Sequence, residues 1–189
     1  MSVHRFHRDQ LAVTPWKNGG GATREIACWP PGAGLHDFGW RVSIATIAAA
    51  GPFSVFKGVD RIIILLAGDG VALRSGDGGI DHRLDTPCQP FAFSGDAAMD
   101  CALLGGPSSD FNVMARRGQW QAELRVLDVA TDIEAAPHGV LLALRGSWRV
   151  GGQQPPCHQG EGLYWTDALN AWRVEPQTPG ARLALVRFV

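Results

Sequence analysis

Apolar residues along this chain come in short bursts, and no stretch keeps a helical repeat. Twelve runs stand out, at residues 41–47, 62–67, 71–74, 90–93, 101–104, 111–115, 124–129, 140–144, 148–150, 162–165, 172–174 and 183–189. Each has the length of a strand and is bounded by turn-forming residues, and several alternate apolar with polar positions. Many short strands at regular spacing predict an all-β fold, a sandwich or a barrel. Residues 67–70, Ala-Gly-Asp-Gly, predict a tight hairpin, and residues 75–79 a longer one.

A weak repeat runs through the pattern. Residues 62–73 read as strand, glycine turn, strand, and residues 140–150 read the same way. A glycine-flanked aromatic strand follows each, at 89–95 and 160–165. A closing strand ends each half, at 101–104 and 183–189. Two β-rich halves of this shape resemble a double-barrelled cupin, two small jelly-roll units packed together. Residues 124–129 link the halves or join a sheet. No Pro/Gly/Ser stretch is long enough to separate independent domains. The expected organisation is one unit over 1–189, with approximate halves at 1–120 and 121–189.

Composition narrows the function classes. The chain has 189 residues and a formal net charge of −1, with no basic footprint for nucleic acid. Its longest apolar run, 62–67, falls far short of the roughly 18 residues of a membrane-spanning helix. Residues 1–8 carry charge with no apolar core behind them, so no signal peptide is expected and the expected location is cytoplasmic. Cys28, Cys88, Cys101 and Cys157 form no Cys-x-x-Cys pair and are expected as free thiols.

Four segments carry candidate chemistry. Trp16-Lys17-Asn18-Gly19-Gly20-Gly21-Ala22-Thr23-Arg24-Glu25 sets an aromatic, cations, an amide, a hydroxyl and a carboxylate around three glycines. It reads as a loop that meets a ligand, against the alternative of a surface turn. In residues 40–47, strand alternation puts Trp40, Val42 and Ile44 on one face and Arg41, Ser43 and Ala45 on the other. The second face is either a polar pocket wall or solvent-facing. Asp60 and Arg61 open a buried strand. There a carboxylate that orients a guanidinium would present a fork to a carboxylate ligand, or the two form an edge ion pair. In residues 110–117, Asp110, Asn112, Met114 and Arg116 share one face. None of the six histidines sits in a His-x-His pair; His4 and His7 lie at the terminus and His138 reads as a loop residue. A metal oxygenase is therefore disfavoured, and no cofactor is expected. No Gly-x-Ser-x-Gly elbow occurs.

These motifs, in this order, resemble the HutD/Ves family of small bacterial cupin-like proteins. The resemblance rests on residues 16–25, 40–43, 51–61 and 110–117 and covers most of the chain, with the second half more generic. It implies a bicupin, two RmlC-like jelly-roll β-barrel halves. One branch of the family is associated with histidine utilisation, where HutD is held to bind a pathway intermediate and modulate the pathway. The combined reading is a small-carboxylate binder with a metal-free pocket in its N-terminal half. Arg41 and Arg61 would hold the carboxylate, of the urocanate or N-formylglutamate class. Asn18, Ser43, Ser54 and Asn112 would supply hydrogen bonds, and Trp16 with Phe53 or Phe56 an apolar wall. The alternative is an isomerase or hydrolase with Glu25 or Asp60 as general base. A third class, an interaction module, would bind no small molecule. Nucleic-acid and membrane partners are not expected, and a homodimer is left open.

Overall fold

The computed structural model describes residues 2–189, apart from the side chains of residues 2, 153 and 154. In chain order the strands are β1 (Ser2–His7), β2 (Val13–Pro15), β3 (Gly21–Trp29), β4 (Trp40–Ile47), β5 (Gly51–Phe53), β6 (Val59–Ala67), β7 (Val71–Ser75), β8 (Asp81–Leu84), β9 (Pro90–Ser94), β10 (Met99–Leu103), β11 (Ser108–Arg116), β12 (Ala122–Leu127), β13 (Thr131–Ala136), β14 (His138–Arg145), β15 (Ser147–Val150), β16 (Gln153–His158), β17 (Glu161–Thr166), β18 (Asn170–Pro176) and β19 (Arg182–Phe188). A 3-10 turn spans Arg8–Gln10. The fold is all-β, and each of the twelve apolar runs overlaps a strand. Among the described residues no helix is long and apolar enough to cross a membrane.

The chain divides into two compact units. The N-terminal unit, Ala12–Gln119, has a six-stranded sheet, β2-β3-β4-β11-β6-β9, and a four-stranded sheet, β5-β10-β7-β8. Its core draws on both sheets, with Ile47, Ile63, Leu65 and Phe93 from the first and Val71, Leu73, Leu84, Met99 and Cys101 from the second. The C-terminal unit, Trp120–Val189 with the N-terminal segment up to Leu11, has a five-stranded sheet, β1-β17-β14-β19-β12, and a four-stranded sheet, β13-β18-β15-β16. Leu141, Leu163, Trp165, Leu183 and Leu185 from one sheet and Trp148, Trp172 and Val174 from the other fill its core. The paired strands of the four sheets are antiparallel.

The repeat seen in the sequence is a repeat of topology. Strands β4 to β11 occupy the orders β4-β11-β6-β9 and β5-β10-β7-β8, and β12 to β19 occupy β12-β19-β14-β17 and β13-β18-β15-β16. Each strand of the first set has its counterpart eight places later. β2 and β3 extend one unit beyond this plan, and β1 extends the other.

Three local readings are corrected. Residues 67–70 do not close a hairpin, because β6 and β7 belong to different sheets. The glycines instead turn a corner between sheets, with φ of 92° at Gly68 and 91° at Gly70. Gly146, φ 69°, makes the matching corner between β14 and β15. Residues 75–79 do form the β7–β8 hairpin. The N-terminal segment, placed by sequence with the first half, instead pairs β1 with β17, with His4 opposite Tyr164 and their rings stacked at 4.8 Å. His138 is buried at the start of β14, its Nδ1 accepting from the Asp167 N–H at 3.2 Å.

Gly139 on β14 lets the Trp165 ring lie flat against the backbone. A Cβ there would collide with that ring and come within 2.7 Å of the Val186 carbonyl. The ring has little room to retreat, since its Nε1 donates to the Ala136 carbonyl at 2.9 Å. Gly139→Ala is therefore expected to cost ~1–3 kcal/mol through overpacking. Gly76→Ala, facing open space, should be close to neutral. Urea unfolding of both variants checks this; equal midpoints would show that the ring moves freely.

Candidate functional site

The inner face of the six-stranded sheet carries an unusual set of polar residues in three rows across the strands. Directly opposed residues point to the same side of a sheet, so the register defines each row. The first runs Thr23–Ala45–Asp110–Leu65. The second runs Glu25–Ser43–Asn112–Ile63–Phe91, and the third Arg41–Met114–Arg61–Phe93. Ile63, Leu65 and Phe93 belong to the core of the unit, so this face looks inward. The chain bulges on β3 between Glu25 and Ala27. Such bulges re-aim side chains, and here Glu25 meets Arg41, its Oε2 accepting from Nε at 2.7 Å.

Arg61 is the centre of the arrangement. It is 4% exposed, and its guanidinium lies 4.6, 5.3 and 5.1 Å from the ring centroids of Phe53, Phe56 and Phe93. Nη1 donates to the Ser54 carbonyl at 3.0 Å, while Nε has no partner. Aromatic faces favour a cation but accept no N–H in the plane of the fork. Burial pulls the guanidinium down to about 10, with Asp110 opposing and Arg41 adding to the shift. It remains charged at neutral pH.

Asp110 is 2% exposed and neither carboxylate oxygen has a hydrogen-bond partner. Burial pushes its carboxyl up to about 7, and the Arg61 charge only partly offsets this. The Asn112 Oδ1 is likewise buried without a partner. A cation, a carboxylate and an amide oxygen thus stand on one inner wall with hydrogen-bonding capacity unused. Unmet buried groups of this kind cost on the order of 1–3 kcal/mol each.

The C-terminal unit makes the contrast plain. Its corresponding rows are Leu127–Leu183–Ala143, Arg125–Leu185–Leu141–Leu163 and Glu123–Arg187–Gly139–Trp165. Leu183 and Leu185 replace Asp110 and Asn112, and Gly139 under the Trp165 ring replaces Arg61. The interior is plugged. An open cleft of about 130 Å³ lies at its rim, lined by Glu123, Arg125, Asp132, Ile133, Glu134, Leu185 and Arg187. Its charges largely satisfy one another, with Arg187 bound to Glu123 at 2.6 Å and Glu134 at 3.1 Å. Among the described residues, the buried side-chain nitrogen and oxygen atoms without partners in this unit are the indole N–H groups of Trp148 and Trp172, which carry no charge.

The residues singled out from sequence fall into two groups. Arg41, Ser43, Arg61 and Asn112 share the inner wall, with Phe53 and Phe56 beside Arg61. Trp16 packs on the same core, its Nε1 donating to Thr23 Oγ1 at 2.8 Å. Asn18 does not reach the wall: it is exposed, and its Oδ1 caps the glycine turn by accepting from the Gly20 N–H at 3.0 Å. Ser54 contributes a backbone carbonyl, and its side chain belongs to an exposed residue. Asp60 does not orient Arg61. It is exposed and binds Arg117 at 2.7 Å, which also binds Asp96 at 3.0 Å. Glu25, offered as a base, is tied to Arg41. Sequence reasoning left out Asp110 and Phe93. The signal for Asp110 was available, since alternation already set it on the face of Asn112. Among the described residues no three His, Cys, Asp or Glu side chains converge in a way that could hold a metal ion.

Asp110 also sets a stability profile. Its folded carboxyl titrates above its ordinary value of 3.8. Its share of stability is therefore complete below that value and is lost as pH rises toward 7. Asp110→Asn removes the charge and keeps the shape. It should be more stable than the parent near pH 8 by ~1–4 kcal/mol, with the gain vanishing near pH 4. Urea unfolding at both pH values checks this, and an equal loss at both would mean that the ionised carboxylate is well solvated.

Comparison with known proteins agrees with this architecture. The HutD family model matches residues 8–184. Protein Ves from Citrobacter koseri is 39% identical over 170 residues, covering 89% of this chain and 86% of that protein. The structure of HutD from Pseudomonas fluorescens SBW25 (formate condition) is similar over 100% of this chain and 98% of that one, at 31% identity and a TM-score of 0.86. A conserved protein of unknown function from Pseudomonas aeruginosa PAO1 is similar over 100% and 99% of the two chains, at 33% identity and a TM-score of 0.86. With nearly its whole length matched, the chain belongs to the HutD/Ves family of cupin-like proteins.

Proposed function

We propose that this protein binds a small carboxylate metabolite on the inner wall of its N-terminal unit, without a metal, and acts as a ligand-binding regulator of histidine utilisation. We read each unit as a jelly roll and the chain as a bicupin, located in the cytoplasm. The matching strand orders of β4 to β11 and β12 to β19, each set eight strands in two sheets, support that reading.

One observation carries the functional proposal. Arg61 is a buried, charged guanidinium with one carbonyl partner and an unpaired Nε. A ligand carboxylate supplies what the protein withholds, two charge-assisted acceptors in the plane of the fork. The box of Phe53, Phe56 and Phe93 limits the guanidinium to one orientation and offers an apolar wall to the rest of the ligand. Arg41 is already neutralised by Glu25 and supports the field without competing for the anion. Urocanate and N-formylglutamate are the probes that the family association suggests.

The catalytic alternative has one observation in its favour. Asp110, titrating near 7, is better suited to acid–base work than Glu25 or Asp60, both held by arginines. Recovery of the bound ligand unchanged, read by NMR, separates binder from enzyme.

Arg61→Ala is expected to weaken binding of urocanate or N-formylglutamate by roughly tenfold or more. Arg61→Lys should recover little, because an ammonium lacks the planar fork. Arg83→Ala and Arg149→Ala, whose side chains are exposed and paired with Asp85 and Glu175, serve as controls. Titration calorimetry on the folded variants decides. Parent-like affinity in Arg61→Ala would move the site elsewhere.

A further inference from the structure

A plain carboxylate fits only half of this wall. It answers Arg61, but it also brings negative charge to a wall that already holds Asp110. Neither Asp110 oxygen has a donor, and the Asn112 Oδ1 one row away has none either. Three acceptors therefore accompany one unsatisfied cation. An anion without a donor would leave them unmet and would be repelled by the ionised carboxylate.

We propose that Asp110 is the specificity-determining residue of this site, selecting acids that carry an N–H or O–H donor at the end remote from their carboxylate, with the carboxylate on Arg61 and the donor on Asp110. The proposal rests on the ligand-binding reading above. The row geometry requires the separation. Asp110 lies in the first row and Arg61 in the third, opposite Met114 on the same strand β11, four residues along from Asp110. Strand rise spreads those Cα positions by roughly 13 Å, a gap that the long arginine side chain only partly closes. A ring or short chain between the two polar ends spans the remainder and rests on the phenylalanine wall.

Selection should depend on pH through Asp110. The charged and titratable groups that act on it are Arg61 from β6 and Cys101 from β10, while Arg41 from β4, paired with Glu25 from β3, acts on Arg61. Between pH 6 and 8 Arg61 stays a cation and the Cys101 thiol, pushed up to about 11, stays protonated. Of these groups, Asp110, at about 7, is the one that changes state in that window. As the carboxylate forms, an acid with a donor gains a strong acceptor and an acid without one gains a repulsion.

The test uses two isosteric pairs, meta- and para-hydroxybenzoate against meta- and para-fluorobenzoate, titrated calorimetrically into the parent, Asp110→Asn and Arg61→Ala. Near pH 8 the better hydroxy acid should bind the parent about tenfold or more tightly than its fluoro partner. That ratio should fall toward pH 6 and be smaller and flat with pH in Asp110→Asn. A readout in the parent alone does not depend on the variant folding. Near pH 7, in buffers of different ionisation heat, the fluoro acid should take up more protons than the hydroxy acid, because it binds only alongside protonated Asp110. If hydroxy and fluoro acids bind the parent equally at both pH values while Arg61→Ala weakens both, the carboxylate site stands and the role of Asp110 is refuted. If none of the four acids binds the parent, the carboxylate reading and this proposal fall together.

Discussion

A cation and a carboxylate buried on the inner wall of a β-sandwich, without a hydrogen bond between them, form the constraint around which the N-terminal unit is organised. Each would lower its cost by meeting the other directly, and broken buried pairs typically cost several kcal/mol. Instead Arg61 is directed to the Ser54 carbonyl and enclosed by three rings. The segment that supplies that carbonyl is itself tied down. The Phe56 N–H donates to the Gly95 carbonyl at 2.8 Å, and the Gly58 N–H donates to Asp96 at 2.8 Å. Arg117 links Asp96 to Asp60 at the same rim. The conspicuous ion pair at this edge is therefore scaffolding for the loop that aims Arg61.

The two units show that the framework does not require this polar wall. Eight strands in the same two sheet orders enclose a leucine- and tryptophan-filled interior in one unit and a charged wall in the other. Three positions account for most of the difference: Asp110 against Leu183, Asn112 against Leu185, and Arg61 against Gly139 with Trp165 above it. A sandwich stabilised by apolar burial gains from the second solution. Retaining the first costs stability, the usual mark of a site kept for a ligand.

Much of this was legible in the chain. Strand alternation alone put Arg41 with Ser43, and Asp110 with Asn112, on common faces, because the side-chain period of a strand is two. Which face turns inward was not legible, since it depends on sheet pairing. Residues 21–25 read as loop because of Gly21, yet they begin β3. Glycine is required there so that the Trp16 ring, 2.8 Å from a notional Cβ, can lie on the backbone. β1 went unread because its partner, β17, is more than 150 residues away. β16 was hidden by Pro155 and Pro156, which are tolerated because it is an edge strand. Asn18 reads as a ligand group and Asp60 as a partner that orients Arg61 or a general base, yet in the fold both are spent on local geometry, a turn cap and a rim ion pair.

The absence of a direct bond between Arg61 and Asp110 also decides what kind of ligand the wall can admit. Had they formed a fork-to-carboxylate pair, a ligand would have had to break it and leave a buried charge behind, and affinity would have been low for every acid. Held apart, each keeps unused hydrogen-bonding capacity, and a ligand can satisfy both without displacing a protein contact. Asp110 near 7 and Arg61 still charged make the wall net positive when the carboxyl is protonated and close to neutral when it is not. On the ligand-binding reading proposed above, the wall would attract anions most strongly on the acid side of neutrality and discriminate among them most sharply on the basic side. That reading divides recruitment and selection between two side chains on adjacent strands of one sheet.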